Sequence, residues 1–505
     1  METSLLSVDV SRVLFGLSVQ FHYLFVPLTI GLAALVALFD TMFWRTGDER
    51  YELASAFWGR FFLVNFVCGV LTGIPLRWHL QDQWSGFATM AQQVLHHVFG
   101  IEGTIAPVMF TVTALFALRR RLPEGWRALT SFALALILVA QSLAILALNA
   151  WMQRPGGGQV VNGVFRLDDP SALFANPLLP SKVLHVLSAG WLLGGMFVVS
   201  VSALQLLRRQ HEAMATVSQR VGTWFALVAL VCASLAGHAS GLLLRDLQPA
   251  KFAAIEGLWK PTTSPAPLTL WALPDPSTKE NRFAFDVPGL LELVAGNGGA
   301  WSNIQSIESE FHQRLRGAWE FRRTRDGNAA PLPLPEYQMD LGVLGLLHLQ
   351  VPMLTEPTDT DYAAAASRAI PPVKPVFLSF RMMLAAWTLM MALTLWTAWR
   401  RPSVATRSGR LSLWLCVLSL PLPWVASIAG WTVTEVGRQP WVITGVLTTS
   451  QALGAVSASS TALAIVAWGL VYACLMFANL TWSLHWIRQG PSPRQRASRV
   501  LSRAF

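Results

Sequence analysis

The chain has 505 residues, 53% hydrophobic and 13% charged, with a formal net charge of +10. Soluble domains carry about 25% charged residues, so this balance excludes an ordinary soluble protein. It also excludes a nucleic-acid binder, because the positive residues are nearly all Arg in short loops between apolar runs, the pattern of cytoplasmic membrane loops.

Crossing a bilayer takes roughly 20 apolar residues. Nine runs meet that length, and the sequence predicts nine helical spans at about 13–43, 54–78, 95–118, 128–152, 181–207, 219–245, 376–399, 411–435 and 458–487. The opening METSLLSVDVSRVLF lacks a basic stretch and a small-residue cleavage site, so the first run reads as a retained helix. Arg residues follow the odd spans: Arg45 and Arg50; Arg119, Arg120, Arg121 and Arg127; Arg208, Arg209 and Arg220; Arg400, Arg401, Arg407 and Arg410; and Arg488, Arg494, Arg496, Arg499 and Arg503. Odd spans then end inside, with the N-terminus outside and the C-terminus inside.

The expected organisation is spans one to six over 1–245, an outer loop over 246–375, spans seven to nine over 376–487, and a basic cytoplasmic tail over 488–505. The loop is about 130 residues long, too long for a connector, and its NIQSIESEFHQRLRGAWEFRR reads as helix. No internal repeat and no helix broken at the membrane midplane is expected. Cys68, Cys232, Cys416 and Cys474 all lie in apolar segments without C-x-x-C spacing, as buried small hydrophobes do.

Ionisable and ligand-type residues inside the spans are costly to bury and mark functional sites. His22 lies about ten residues into the first span, roughly 15 Å deep at 1.5 Å per residue. Glu102, His185, Arg381 with Met383, and Glu435 lie near the outer ends of spans three, five, seven and eight. A lone intramembrane His is usually a hydrogen-bonded core residue, but five such positions at matched depth outweigh that reading. Each comes from a separate helix, unlike the short-spaced ligands of a metal-only site such as H-E-x-x-H. That suits a large planar cofactor between helices. His with Met is a haem axial pair that favours electron transfer, whereas a single His or Glu suits a high-spin haem open to a gas.

SRVLFGLSVQFHYLFVPLTIGL, NAWMQRP, KVLHVLSAG, QPAKFAAIE, FRMM and GWTVTEVGRQPW resemble the signature stretches of subunit I of cytochrome bd-type quinol oxidases, in the same order along the whole chain. The resemblance implies an all-α polytopic bundle whose outer loop binds quinol. It implies His185 and Met383 as ligands of a low-spin haem b, with Arg381 beside that haem raising its potential. It implies that His22 and Glu435 serve a high-spin haem b and a haem d, or a haem b in its place, with Glu102, Trp431 and Arg438 close by. It implies Lys251 and Glu256 as quinol contacts, although without the motif a solvated loop pair is the simpler reading. Subunit II, small accessory membrane subunits, membrane lipid, ubiquinol or menaquinol, and O2 are the implied partners, in a bacterial inner membrane.

Two positions depart from the family pattern. RWHLQDQWS puts Arg77 where the family carries an acid, and IEGTIAPVMFTVT puts Phe110 where the family carries a second Glu that feeds protons inward. Phe cannot relay a proton; water, Thr104 or Thr111 are the substitutes, and Pro107 perturbs the same helix. His79, His96, His97 and His238 are additional; His96 and His97 read as an outer-interface pair or as alternative proton donors. The expected function is oxidation of quinol outside with reduction of O2 to water, generating proton motive force without a pump. The alternatives are a diverged haem protein for electron transfer or gas binding, and a transporter with buried charges.

Overall fold

The computed structural model describes residues 2–262, 264–296, 301–325, 342–347, 356–400 and 402–491. Among these, nine helical segments are long and apolar enough to cross a membrane: Leu6–Thr46, Glu49–Asp82, Gln92–Arg121, Glu124–Gln153, Leu179–Leu207, Glu212–Leu247, Asp359–Arg400, Arg407–Val436 and Ala458–Gln489. They are called spans 1 to 9 below. All nine expected runs are present, most extended at the ends by polar turns that apolar content alone does not predict. Arg401, Arg494, Arg496, Arg499 and Arg503 lie outside the described residues.

Two spans are interrupted. Span 7 comprises helices Asp359–Arg368 and Val373–Arg400. Span 8 comprises Arg407–Leu418 and Leu422–Val436, broken about halfway along. The expectation of no midplane break is therefore corrected. The cause is the Pro421-Leu422-Pro423 sequence: Pro421 has no N–H to continue a helix, so it caps the second half instead.

Spans 1 and 5 form the centre. In span 5, 83% of the apolar window is buried, against 17% in span 3 and 11% in span 9, which places the last two on the rim. Span 1 crosses span 5 closely because Gly31 meets Gly190 and Gly194; a Cβ on Gly31 would strike the Gly194 Cα at 2.8 Å. Phe57, Trp58, Phe61 and Phe62 of span 2 are fully buried beside this pair: Phe61 packs on Phe197 of span 5, Phe62 on Phe116 of span 3, and Trp58 Nε1 donates to Ser218 of span 6.

In the sequence, Arg119 and Arg127 stand among the loop cations that follow span three. The structure turns both inward. Asp40 of span 1, fully buried, accepts from Arg127 Nε at 2.6 Å, Arg119 Nε at 3.2 Å, Ser131 Oγ at 2.6 Å and Ser55 Oγ at 2.5 Å. One carboxylate thus ties together the first four spans at their shared end. The four Cys are free; Cys68 and Cys416 are buried, whereas Cys474 is exposed on the rim, against expectation, because span 9 buries so little of itself.

The segment joining spans 6 and 7 begins with the short helix Pro249–Glu256. Pro249 starts it and Gly257, at φ 68°, ends it in the left-handed conformation that glycine adopts without strain. An antiparallel hairpin, Leu268–Asp275 with Glu280–Val287, follows, then helices Leu290–Ala295 and Ile304–Arg325. The last is the helix read from NIQSIESEFHQRLRGAWEFRR.

Candidate functional site

His22 and His185 are held by the same device. His185 Nδ1 lies 3.0 Å from the carbonyl oxygen of Ala233 on span 6. A carbonyl only accepts, so Nδ1 carries the proton and Nε2 keeps its lone pair. Gly237, one turn further along span 6, leaves room for the ring; a Cβ there would lie 3.3 Å from His185 Cε1. His22 Nδ1 lies 3.0 Å from Thr72 Oγ1 on span 2. Thr72 spends its hydroxyl proton on the Cys68 carbonyl at 2.8 Å, so it accepts from Nδ1 and again leaves Nε2 as the ligating atom. Gly73 supplies the space; a Cβ there would lie 3.2 Å from His22 Cε1.

Met383 of span 7 faces Gly430 of span 8, where a Cβ would lie 3.2 Å from its sulfur. The next residue, Trp431, packs edge-on against Tyr23 of span 1 with ring centroids 5.2 Å apart. Span 8 therefore lies against both the Met383 helix and the chain neighbour of His22.

Glu435 sits in a polar cluster. Its Oε1 accepts from Asn149 Nδ2 of span 4 at 2.9 Å, and its Oε2 pairs with Arg438 at 2.5 Å. Asn149 Oδ1 in turn accepts from Lys182 Nζ of span 5 at 2.5 Å. Lys251 donates to the side-chain oxygen of Gln153, whose amide reaches the Thr434 carbonyl at 3.3 Å. Burial holds the Lys251 amine well below the usual lysine range, Lys182 and Arg438 push it the same way, and Glu435 opposes them. Three basic side chains thus surround one carboxylate. Nε and Nη1 of Arg438 are buried without a protein acceptor.

Glu256 points elsewhere. It pairs with Arg381 at 2.9 Å, and both side chains are buried. Arg381 also donates to the carbonyls of Ile255 at 2.9 Å and Thr269 at 2.6 Å. Five residues on a helix turn through about 140° beyond one full rotation, so Lys251 and Glu256 leave Pro249–Glu256 on different flanks. Both quinol-contact candidates are therefore buried and partnered, not a solvated loop pair.

Glu102 of span 3 is half-buried, and the nearby charge acting on it is Arg77, whose guanidinium lies 4.5 Å over the Phe99 ring. Phe110 is 47% exposed on the rim. Thr104 and Thr111, the substitutes considered for a relay, bond back to their own helix at 2.8 Å and are exposed. His96, His97 and His238 are exposed, and His97 bonds to its own helix. His79 alone of the additional histidines is buried, between Trp78 and Trp468.

Sequence reasoning missed Asn149, Gln153 and Lys182. The available signal was spacing: Asn149 and Gln153 stand one turn apart at the end of span 4, and Lys182 stands three residues before His185. The residues present fit the haem that the resemblance implies. Two imidazoles offer Nε2, a thioether faces a glycine, and a buried guanidinium holds two N–H groups in need of an acceptor. Glu435 keeps 30% of its side-chain surface open beside them.

The profile of the family described as Cytochrome bd terminal oxidase subunit I matches residues 10–491. The chain is 32% identical over 507 aligned residues to Cytochrome bd-II ubiquinol oxidase subunit 1 of Escherichia coli (strain K12), covering 97% of this chain and 98% of that protein. It is 30% identical to Cytochrome bd ubiquinol oxidase subunit 1 of Bacillus subtilis (strain 168), covering 92% and 90%. The fold is similar to a chain of the bd oxidase from Geobacillus thermodenitrificans, with a TM-score of 0.78 at 21% identity over 96% of this chain and 99% of that one.

Proposed function

Because the chain belongs to the cytochrome bd terminal oxidase subunit I family, we propose that it is the haem-bearing subunit of a quinol:O2 oxidoreductase in a bacterial inner membrane. Two quinols give up four electrons and four protons, and one O2 takes up four of each to become two waters. The haems supply the one-electron chemistry and the gas-binding iron. The observation that carries this reading is the pair of histidines with Nδ1 engaged and Nε2 presented.

His185 and Met383 hold the low-spin haem b. His22 and Glu435 serve the two high-spin haems, a haem b and a haem d or second haem b, with Glu102 and Trp431 near them. Arg438, whose Nε and Nη1 are buried without a protein acceptor, would offer those N–H groups to an anionic group of the bound cofactor. Quinol, ubiquinol or menaquinol, approaches the helix Pro249–Glu256. Glu256 takes a quinol proton there, exchanging its ion pair with Arg381 for an O–H. Lys251, its charge disfavoured by burial, holds the second quinol oxygen. Arg381, released from the carboxylate, becomes an uncompensated cation two residues from Met383 and favours arrival of the electron.

The face carrying this helix is the outer one on the Arg asymmetry, so quinol protons leave outside. The protons for water come from the inner face, and charge separates without a pump. The Phe110 side chain cannot relay a proton, so the inward route uses other groups. Subunit II covers part of the rim, and small accessory membrane subunits complete the assembly.

The test is a reduced-minus-oxidised absorption spectrum of the purified complex, repeated with carbon monoxide, alongside quinol-dependent O2 uptake. A low-spin b band, a CO-sensitive high-spin band and steady uptake are expected. A far-red chlorin band assigns haem d, and b-type bands alone assign haem b at the gas site. Absence of a CO response would leave an electron-transfer protein.

A further inference from the structure

The hairpin Leu268–Val287 carries an apolar face that none of the described residues covers. Trp271, Leu273, Phe283 and Phe285 are 54%, 38%, 80% and 61% exposed, and Leu293 and Val294 of the next helix add 81% and 47%. The inward positions of the first strand are Thr269, Ala272 and Pro274, so the large residues are sorted to the outside. Trp271 stands opposite Phe285 across the ladder. Phe283 lies at a φ of 54°, in an irregular stretch of the second strand beside it. A soluble loop sorts its residues the other way, and an exposed contiguous patch of this kind marks an interaction surface.

Two tethers set the height of this face. Arg381 bonds the Thr269 carbonyl at 2.6 Å, and Arg381 is seven residues beyond Lys374, the last charge before the apolar run of span 7. That is about 10 Å along the helix, a distance that a stretched arginine side chain does not fully recover. Arg245, in the last turn of span 6, donates to the carbonyl of Ala295. Both ends of the patch are thus fixed at the level where spans 6 and 7 meet the headgroups, the depth at which aromatic residues collect.

We propose that the hairpin and the helix Leu290–Ala295 form an interfacial anchor that lies on the outer leaflet, with Phe283, Phe285, Trp271 and Leu293 in the boundary between headgroups and acyl chains. The occupant of the face is lipid, because the tethers to Arg381 and Arg245 hold this apolar face beside the ends of spans 6 and 7. Charge contributes little. Lys279, Arg282 and Lys260 are paired with Glu308, Asp275 and Glu280. The anchor does not depend on where quinol binds.

The experiment places a nitroxide label at Phe283→Cys, and separately at Phe285→Cys, in a background with Cys232→Ser and Cys474→Ser. The complete oxidase is reconstituted in phosphatidylethanolamine–phosphatidylglycerol vesicles, and a label at Ser277→Cys on the hairpin tip serves as the aqueous reference. Collisions with O2 are expected to dominate over those with a water-soluble nickel chelate at 283 and 285, the reverse at 277, with no change at high salt. Nickel access at 283 and 285 equal to that at 277 would place the face in water and overturn the proposal. Labels at both sites that neither reagent reaches would mean a protein partner covers the face, and would overturn it equally.

Discussion

The guanidinium of Arg381 lies 2.9 Å from the carboxylate of Glu256, and the two join span 7 to the first helix of the long loop. The same guanidinium holds the carbonyls of Ile255 and Thr269. One side chain therefore fastens a helix and a hairpin to the span that carries Met383.

Arg381→Ala should release all three attachments. Breaking a buried ion pair from one side costs about 3–5 kcal/mol. Limited proteolysis should cut the loop faster while spans 1 to 6 stay intact. The low-spin potential should fall, since a cation beside the iron favours the reduced state. An unchanged potential with a loosened loop would confine Arg381 to docking.

Lys251→Met concerns pH. Burial, with Lys182 next, lowers the folded-state pKa of Lys251 well below that of a free lysine. Between the two values the unfolded chain binds more protons, so stability rises with pH and falls as pH drops through that window. The thermal midpoint of the parent should therefore decline toward lower pH, and Lys251→Met should flatten the decline while slowing quinol oxidation. Parallel curves for the two proteins would count against a depressed lysine.

Gly430→Ala separates ligation from folding. Alanine improves an exposed helix by about 1 kcal/mol over glycine, so the span itself should not suffer. Its Cβ would press on the Met383 sulfur from 3.2 Å. The low-spin band should shift or weaken with the melting temperature nearly kept. Met383→Leu, a swap that costs under about 1.5 kcal/mol in a core, should remove the low-spin signal altogether.

Asp40→Asn tests the charge cluster at the other end of spans 1 to 4. Arg119 and Arg127 both lose the Asp40 carboxylate, Arg127 keeping Glu52 at 3.1 Å, and breaking such a buried pair costs about 3–5 kcal/mol. Heat should denature this variant markedly earlier, with the spectrum of the assembled fraction unchanged. A spectral change would tie the cluster to the haem region.

The nine spans were legible in the sequence because apolar length is a local property. His22, His185, Met383 and Glu435 could be singled out because such side chains stand out within apolar runs. Asn149 and Lys182 escaped because a polar residue near a span end reads as interface, and only the packing of spans 4, 5 and 8 turns them toward Glu435. Arg119 and Arg127 look like their loop neighbours until Asp40, some 80 residues earlier, is seen between them. The break in span 8 was legible in Pro421-Leu422-Pro423, where three apolar residues masked two helix breakers.

The helix Pro249–Glu256 makes chain length itself a constraint. Inserting or deleting one residue at Ala253 or Ala254 would swing Glu256 by about 100° around the axis and strand it from Arg381, while Lys251 stayed with Gln153. Substitutions between the two ends leave that phase untouched. The segment should therefore admit changes of residue type more readily than any change in the count of residues between Lys251 and Glu256.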